Sequence, residues 1–146
     1  MLWLLDSNIL IRLPHRPDPR NPLIRQALRT LWAQGDRFCY TSQILGEFWS
    51  VCTRPTTARG GFALSLAETD RRVRLIERFY RFLPDRAAVH GEWRRLLVAH
   101  AVSGVQVHDA RLVASMNMHR VRRLLTFNVS DFTRYPSITA MHPQDI

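Results

Sequence analysis

Hydrophobic residues open the chain in a short unbroken run, Leu2-Trp3-Leu4-Leu5, which the polar triplet Asp6-Ser7-Asn8 cuts off. Such a run fits a strand covered on both faces, as in a parallel sheet, although a buried helix carries the same signature at this length. Ser7 to Leu13 reads as a short helix, stopped by a basic loop holding Pro14, Pro17 and Pro19. Asn21-Pro22 predicts a cap followed by proline at the first helical position. Leu23, Ala27, Leu28, Leu31 and Trp32 then recur at helical spacing until Gly35. Arg37 to Thr41, centred on Phe38-Cys39-Tyr40, reads as a second strand. Ser42 predicts the cap of a helix that runs through Glu47 to about Thr53, with Arg54-Pro55 ending it.

Thr56 to Leu64 has no period and carries Arg59 and Gly60-Gly61, so it reads as a basic loop. Ser65-Leu66-Ala67-Glu68 is a capping-box pattern that opens a helix with Leu66, Val73, Leu75, Ile76, Phe79 and Tyr80 as its apolar members. Phe82-Leu83 fits a very short strand. Asp85 caps a helix through Trp93 and Leu97 to a stop near Ser103-Gly104. Val105 to Val107 is expected to be extended, His108-Asp109 to cap, and Ala110 to Met118 to be helical. Leu124 to Thr126 is a further strand, Asn128 to Phe132 a turn, and Ile138 to Ala140 the last strand. Strands alternating with helices predict a single α/β domain over residues 1–146, its central, largely parallel sheet flanked by helices. Neither a repeat nor a linker divides the chain.

Composition adds a partner. The 146 residues carry a formal charge of +9, and all 21 basic residues are Arg. An excess of that size points to a polyanion, nucleic acid first and an acidic protein second. Arg suits phosphate, but the absence of Lys is equally the mark of a GC-rich genome. Cys39 and Cys52 lack any zinc or disulfide spacing. There is no signal-peptide pattern and no membrane-length apolar run, so a cytoplasmic protein is expected.

Four acids fall at telling places: Asp6 at a strand end, Glu47 one turn into the helix after a strand, Asp109 at a helix start, and Asp131 just beyond the strand that ends at Thr126. All can converge at the carboxyl ends of a parallel sheet, where ligands bind in open α/β folds. Each alone also fits a cap or a turn. Gathered without cations they repel, unless a divalent ion with a preference for oxygen ligands, Mg²⁺ or Mn²⁺, neutralises them; such ions serve phosphodiester hydrolysis. Glu47 adds weight because it lies among Leu45, Phe48 and Val51, where an unpaired acid is costly to bury. Asp85 and Glu68 are assigned to capping, and Asp18, Asp36, Asp70 and Asp145 to solvent. Arg12, Arg16, Arg54 and Arg59 are candidates for phosphate contact, with a plain solvated surface as the other reading. Receiver domains and aspartate-nucleophile phosphatases also start with a strand-end Asp, but both resemble families that use a lysine, which this chain lacks. P-loop and GxGxxG patterns are missing as well.

The segments Leu4-Leu5-Asp6-Ser7-Asn8-Ile9-Leu10, Ser42-Gln43-Ile44-Leu45-Gly46-Glu47-Phe48, His108-Asp109-Ala110-Arg111-Leu112-Val113-Ala114 and Leu124-Leu125-Thr126-Phe127-Asn128-Val129-Ser130-Asp131-Phe132 together resemble, in order and spacing, the four motifs of PIN domains. The resemblance is closest to VapC-type toxins of toxin-antitoxin pairs. It implies a Mg²⁺- or Mn²⁺-dependent endoribonuclease, homodimeric, acting on structured RNA such as tRNA and silenced by a cognate antitoxin. Carried over, Asp6 is a ligand common to both ions, Glu47 and Asp109 hold the better-occupied one, and Asp131 completes the site. Asn128 stands where many relatives have an acid; it is expected as a neutral ligand or an orienting group. Two alternatives follow: a PIN fold with weakened turnover that only sequesters RNA or antitoxin, and a structure-selective DNA nuclease, though the latter resemble longer chains.

Overall fold

Leu2–Leu5 forms β1, and the computed structural model, which describes all 146 residues, lays four parallel partners around it in the order β3-β2-β1-β4-β5. The partners are β2 (Arg37–Thr41), β3 (Arg81–Leu83), β4 (Arg123–Leu125) and β5 (Thr139–Met141). Trp3, Leu4 and Leu5 are buried, as are Phe38 to Tyr40 and Leu124-Leu125, which is why these strands read as continuous apolar runs rather than alternating ones. Strand order reverses beside β1: β2 and β3 follow on one side, β4 and β5 on the other. The crevice at such a switch point is where open α/β sheets bind ligands.

Six helices connect the strands: α1 (Ser7–Leu10), α2 (Asn21–Ala33), α3 (Ser42–Thr53), α4 (Leu66–Phe79), α5 (Ala87–Ala99) and α6 (Val107–Met118). One core of 31 buried apolar residues joins them to the sheet, so the expected single α/β domain holds. Gly35 takes φ 88° just past α2, the left-handed stop anticipated there. Cys39 and Cys52 are buried and unbridged. No helix is long and apolar enough to cross a membrane.

Several local expectations shift. Asn21 is the first residue inside α2 rather than its cap, and its side-chain amide donates to the Arg12 and Leu13 carbonyls at 2.9 and 2.8 Å, tying the proline loop down. Thr41, not Ser42, caps α3, accepting from the Ile44 N–H at 3.3 Å. Only half of the capping box closes: Ser65 Oγ accepts from the Glu68 N–H, while the Glu68 carboxylate turns to Arg71 and Arg72. Asp85 caps nothing; it pairs with Ser42 and Arg111. Val105 lies in a 3₁₀ turn (Gly104–Gln106) instead of an extended segment, which places His108 and Asp109 inside the first turn of α6. Of the acids assigned to solvent, Asp36 is buried and meets the Met1 amino group, Asp18 pairs with Arg12, and Asp70 with Arg74. The last strand sits one residue later than expected.

Candidate active site at the carboxyl ends of the strands

Parallel pairing of Leu5 with Leu125 sets the next residues of both strands, Asp6 and Thr126, side by side at the switch point. Each is buried, and each is fully engaged. Thr126 Oγ1 donates to Asp6 Oδ2 at 2.6 Å and accepts from Asn8 Nδ2 at 3.1 Å and the Asn128 N–H at 3.0 Å, which uses its single proton and both lone pairs. Asn8 Nδ2 also donates to Asp6 Oδ2 at 3.0 Å, and Asn8 Oδ1 accepts from the Phe127 N–H at 3.2 Å. On the other side, Asp6 Oδ1 accepts from the Ser7 N–H at 2.7 Å. Asp6 is thus the cap of α1 and the centre of this network at once; the two readings of it do not compete. Burial pushes its pKa up, the Thr126 and Ser7 hydrogen bonds pull it back, and the charge of Glu47 pushes it up again.

The other acids are held more loosely. Glu47 projects from α3 on an exposed surface, so the argument from its costly burial fails. Phe48 is buried on another face of the helix, and Val51, one turn on from Glu47, is itself only half-buried beside the same groove. Gln43, one turn earlier, donates weakly to Glu47 Oε1 at 3.4 Å and firmly to the His108 carbonyl at 2.9 Å, and accepts from Arg111 at 3.2 Å. It therefore stitches α3 to the start of α6. Trp93 Nε1 holds the same turn from α5 through the Val107 carbonyl at 2.8 Å. Asp109, in that turn, is pushed up to about 6, first by partial burial, then by the charges of Asp6, Asp131 and Glu47; His108 opposes them. Asp131 sits in a 3₁₀ turn (Val129–Phe132), its N–H bonded to the Asn128 carbonyl at 3.1 Å.

The other three acids named from the sequence, Asp6, Glu47 and Asp131, thus lie within electrostatic reach of Asp109. None of the seven ion pairs in the molecule involves any of the four. Oxygen donors with uncompensated charge are what a hard divalent ion requires. The fit is one of charge and donor type, since no three of these side chains are drawn together into a ready coordination shell. The Asn128 side chain is exposed and makes no hydrogen bond; only its backbone joins the network.

Beside the acids an open groove of about 570 Å³ runs along α3, lined by Ser7, Gln43, Glu47, Ser50, Arg54 and His108 among others. Of the four candidate arginines, Arg54 lines this groove and Arg16 and Arg59 are exposed in loops. Arg12 is already committed, to the Asn8 carbonyl at 2.8 Å and to Asp18 at 3.3 Å. Arg20, which the sequence did not single out, lies over the Phe127 ring at 5.0 Å. A second, apolar cleft of about 390 Å³ lies away from the acids, between α2 and α4.

No family model matches this sequence, and no curated protein does. Solved structures match over nearly the whole length. The VapBC2 complex of Rickettsia felis, bound to a promoter DNA fragment, aligns with TM-score 0.72 at 14% identity, covering 97% of this chain and 98% of that one. FitAcB of Neisseria gonorrhoeae gives 0.68 at 18%, covering all of both chains. VapC20 of Mycobacterium tuberculosis, a toxin that cleaves the sarcin-ricin loop, gives 0.62 at 17%, covering 88% of this chain and 92% of that one. At these identities the likeness gives the fold: this chain has the PIN-like fold of the VapC-type toxins.

Proposed function

We propose that this protein is a metal-dependent endoribonuclease, the toxin of a toxin-antitoxin pair, cutting structured RNA such as tRNA in the cytoplasm. The observation that carries the reading is the convergence of Asp6, Glu47, Asp109 and Asp131 without a single cation partner, at the switch point of a basic α/β domain. VapC20, with the same fold, is an RNA-cleaving toxin, and the VapBC2 and FitAcB structures are of toxin-antitoxin systems.

Asp6, Glu47, Asp109 and Asp131 would hold Mg²⁺ or Mn²⁺, with Asn128 as a neutral oxygen ligand. When bound, the ion neutralises the acids and supplies Lewis acidity to a phosphodiester undergoing attack by water, leaving 3′-hydroxyl and 5′-phosphate ends. Thr126 and Asn8 fix the Oδ2 of Asp6, and Ser7 fixes its Oδ1, so this carboxylate is oriented before any ligand arrives. Gln43 sets the position of Glu47 against α6. The net excess of arginine attracts a polyanion to the protein, and Arg54 places one guanidinium in the groove beside the acids.

The antitoxin belongs to the same reading. The cleft between α2 and α4 presents Leu28, Ile76 and Phe79 together with Arg25, Arg29 and Arg72, a surface complementary to an apolar segment that carries acids. A homodimer is expected too, with exposed Trp32 and Phe82 as apolar surface to bury, and sedimentation of the purified chain tests it. One observation favours the sequestering alternative: neutral Asn128 leaves the site one charge short. The discriminating experiment is incubation of partner-free protein with a total tRNA pool in Mg²⁺ or Mn²⁺, with EDTA and Asp6→Asn controls. Discrete fragments that vanish in both controls support the nuclease. RNA bound but intact, across tRNA and other RNA classes, favours sequestration; Asn128→Asp then restores cutting.

A further inference from the structure

We infer that the groove along α3 is a subsite for the sugar-phosphate backbone of the nucleotides flanking the cleaved bond, with the Arg54 guanidinium as its phosphate contact. The inference rests on the nuclease reading and adds to it where the substrate lies. Glu47, Ser50, Val51 and Arg54 stand at helical spacings of three and four, so they form one wall that starts at the acid cluster and ends at Arg54. Ser7 and His108 face that wall from α1 and α6. Only two of the ten lining residues are hydrophobic, and the only ring among them is the His108 imidazole; no Phe, Tyr or Trp lines the groove. A groove lined mainly by three hydroxyls, an amide and one guanidinium, with no large aromatic face, suits backbone rather than base. Its volume of about 570 Å³ falls within the range of ligand sites, ~300–1,000 Å³.

Arg54 is built for this contact. An arginine at a helix C-terminus is ordinarily explained by hydrogen bonds to the last carbonyls. Here the side chain makes no hydrogen bond and no ion pair, and its Nε is buried without a partner. Its backbone, by contrast, is pinned on both sides: the Arg54 N–H donates to the Ser50 carbonyl at 3.1 Å, and its carbonyl accepts from the Ala63 N–H at 2.9 Å. Gly61 lies so close that a Cβ there would stand 2.4 Å from the Arg54 carbonyl oxygen and 2.5 Å from Arg54 Cγ, so the loop clamps the base of the side chain while the fork stays unspent. A planar fork held this way suits the two-point grip that phosphate oxygens offer.

The test measures binding of a single-stranded RNA in EDTA, across a salt series, for the intact protein, Arg54→Ala, Arg54→Lys and the exposed-surface control Arg94→Ala. Cleavage is followed in parallel in Mg²⁺, and thermal unfolding confirms that each variant folds. Arg54→Ala is expected to weaken binding roughly tenfold and to lower the slope of log K against log salt by about 1, with KM raised and kcat nearly unchanged. Arg54→Lys recovers part of the affinity, and Arg94→Ala matches the parent. A methylphosphonate at the contacted position weakens the parent but leaves Arg54→Ala unchanged. If the parent binds and cuts RNA while both Arg54 variants match it in affinity and slope, the subsite is wrong and the nuclease reading stands. If the parent neither binds RNA of any class, in EDTA or in a non-cleaving metal such as Ca²⁺, nor cuts it in Mg²⁺ or Mn²⁺, the nuclease reading falls and the subsite with it.

Discussion

The two halves of the acid site are built in opposite ways. Around Asp6, the polar groups close on one another: one carboxylate, two hydroxyls, one side-chain amide and three backbone N–H groups meet at the ends of strands β1 and β4. Around Asp109, partial burial and three like charges meet with no hydrogen bond to the carboxylate at all, and the pKa rises to about 6. The first half is an arrangement the fold itself stabilises. The second is one that the fold tolerates, and that a cation would relieve. Two acids that look equivalent in sequence therefore differ in what their removal does to the protein.

Replacing either acid tests that difference most severely. On the proposed function, Asp6→Asn and Asp109→Asn are each expected to lower cleavage by roughly a thousandfold or more, to background in a tRNA assay, because each would remove a charged metal ligand. Their stabilities part company. Asp6→Asn sets an amide donor against Asn8 Nδ2 and Thr126 and loses about 1–2 kcal/mol in urea unfolding. Asp109→Asn, which relieves repulsion among like charges, leaves the fold intact or slightly firmer.

Thr126→Val is next in size. It leaves Asp6 Oδ2, Asn8 Nδ2 and the Asn128 N–H each one partner short in a buried place. A loss of about 2–3 kcal/mol and of roughly 5–10 °C in Tm is expected, with cleavage down about ten- to a hundredfold. Thr126→Ser keeps the hydroxyl and most of both. A Thr126→Val protein as stable as the parent breaks the contrast drawn here.

For Asp109 the sign of the pH dependence is fixed by a folded pKa of about 6 above an ordinary 3.8. The folded state holds that proton more tightly than the unfolded state. The contribution is fully present below about pH 4 and is lost as pH rises through 6. Asp109→Asn removes this slope and stabilises the metal-free protein near pH 7 by on the order of 1–3 kcal/mol, read by urea titrations at pH 5 and pH 7. Mg²⁺ stabilises the parent more than the variant. The smallest effect belongs to Gln43→Ala, which loosens Glu47 from α6: a three- to tenfold fall in cleavage, as an order of magnitude, with a higher half-saturating metal concentration and little change in Tm.

What the sequence revealed follows the range of the interactions involved. The strand-helix alternation and the four acids are legible because burial on both faces writes an apolar run and each acid interrupts or follows one locally. The ordering of Asp6 by Thr126 spans 120 residues, and the bridges from Gln43 to His108 and Arg111 span 65 and 68. No window of sequence contains them. Glu47 shows where local reading misleads: the sequence suggests a costly burial among Leu45, Phe48 and Val51, yet its side chain is exposed, because apolar neighbours along the chain do not fix the face on which a helical side chain emerges. Asp36 and Asp85 illustrate the converse, ordinary acids whose partners lie at Met1 and Arg111 and not in the adjacent turn.

The strand order carries one last implication, for the order in which the molecule can come into being on the ribosome. β1 is made first, and β2 can zip to one of its edges early, but the other edge waits for Arg123–Leu125. Until then a leucine-rich strand lies half-paired, inviting association with other chains. Over the same interval Asp6 has no Thr126 to orient it and Asp131 does not yet exist. On the proposed function, a nascent chain would lack nuclease competence until the segment from β4 through Asp131 has been made. A stalled or truncated product that ends before β4 is expected to be inert as a nuclease and prone to aggregate, which pelleting and tRNA digestion of a chain stopped after Arg120 would measure.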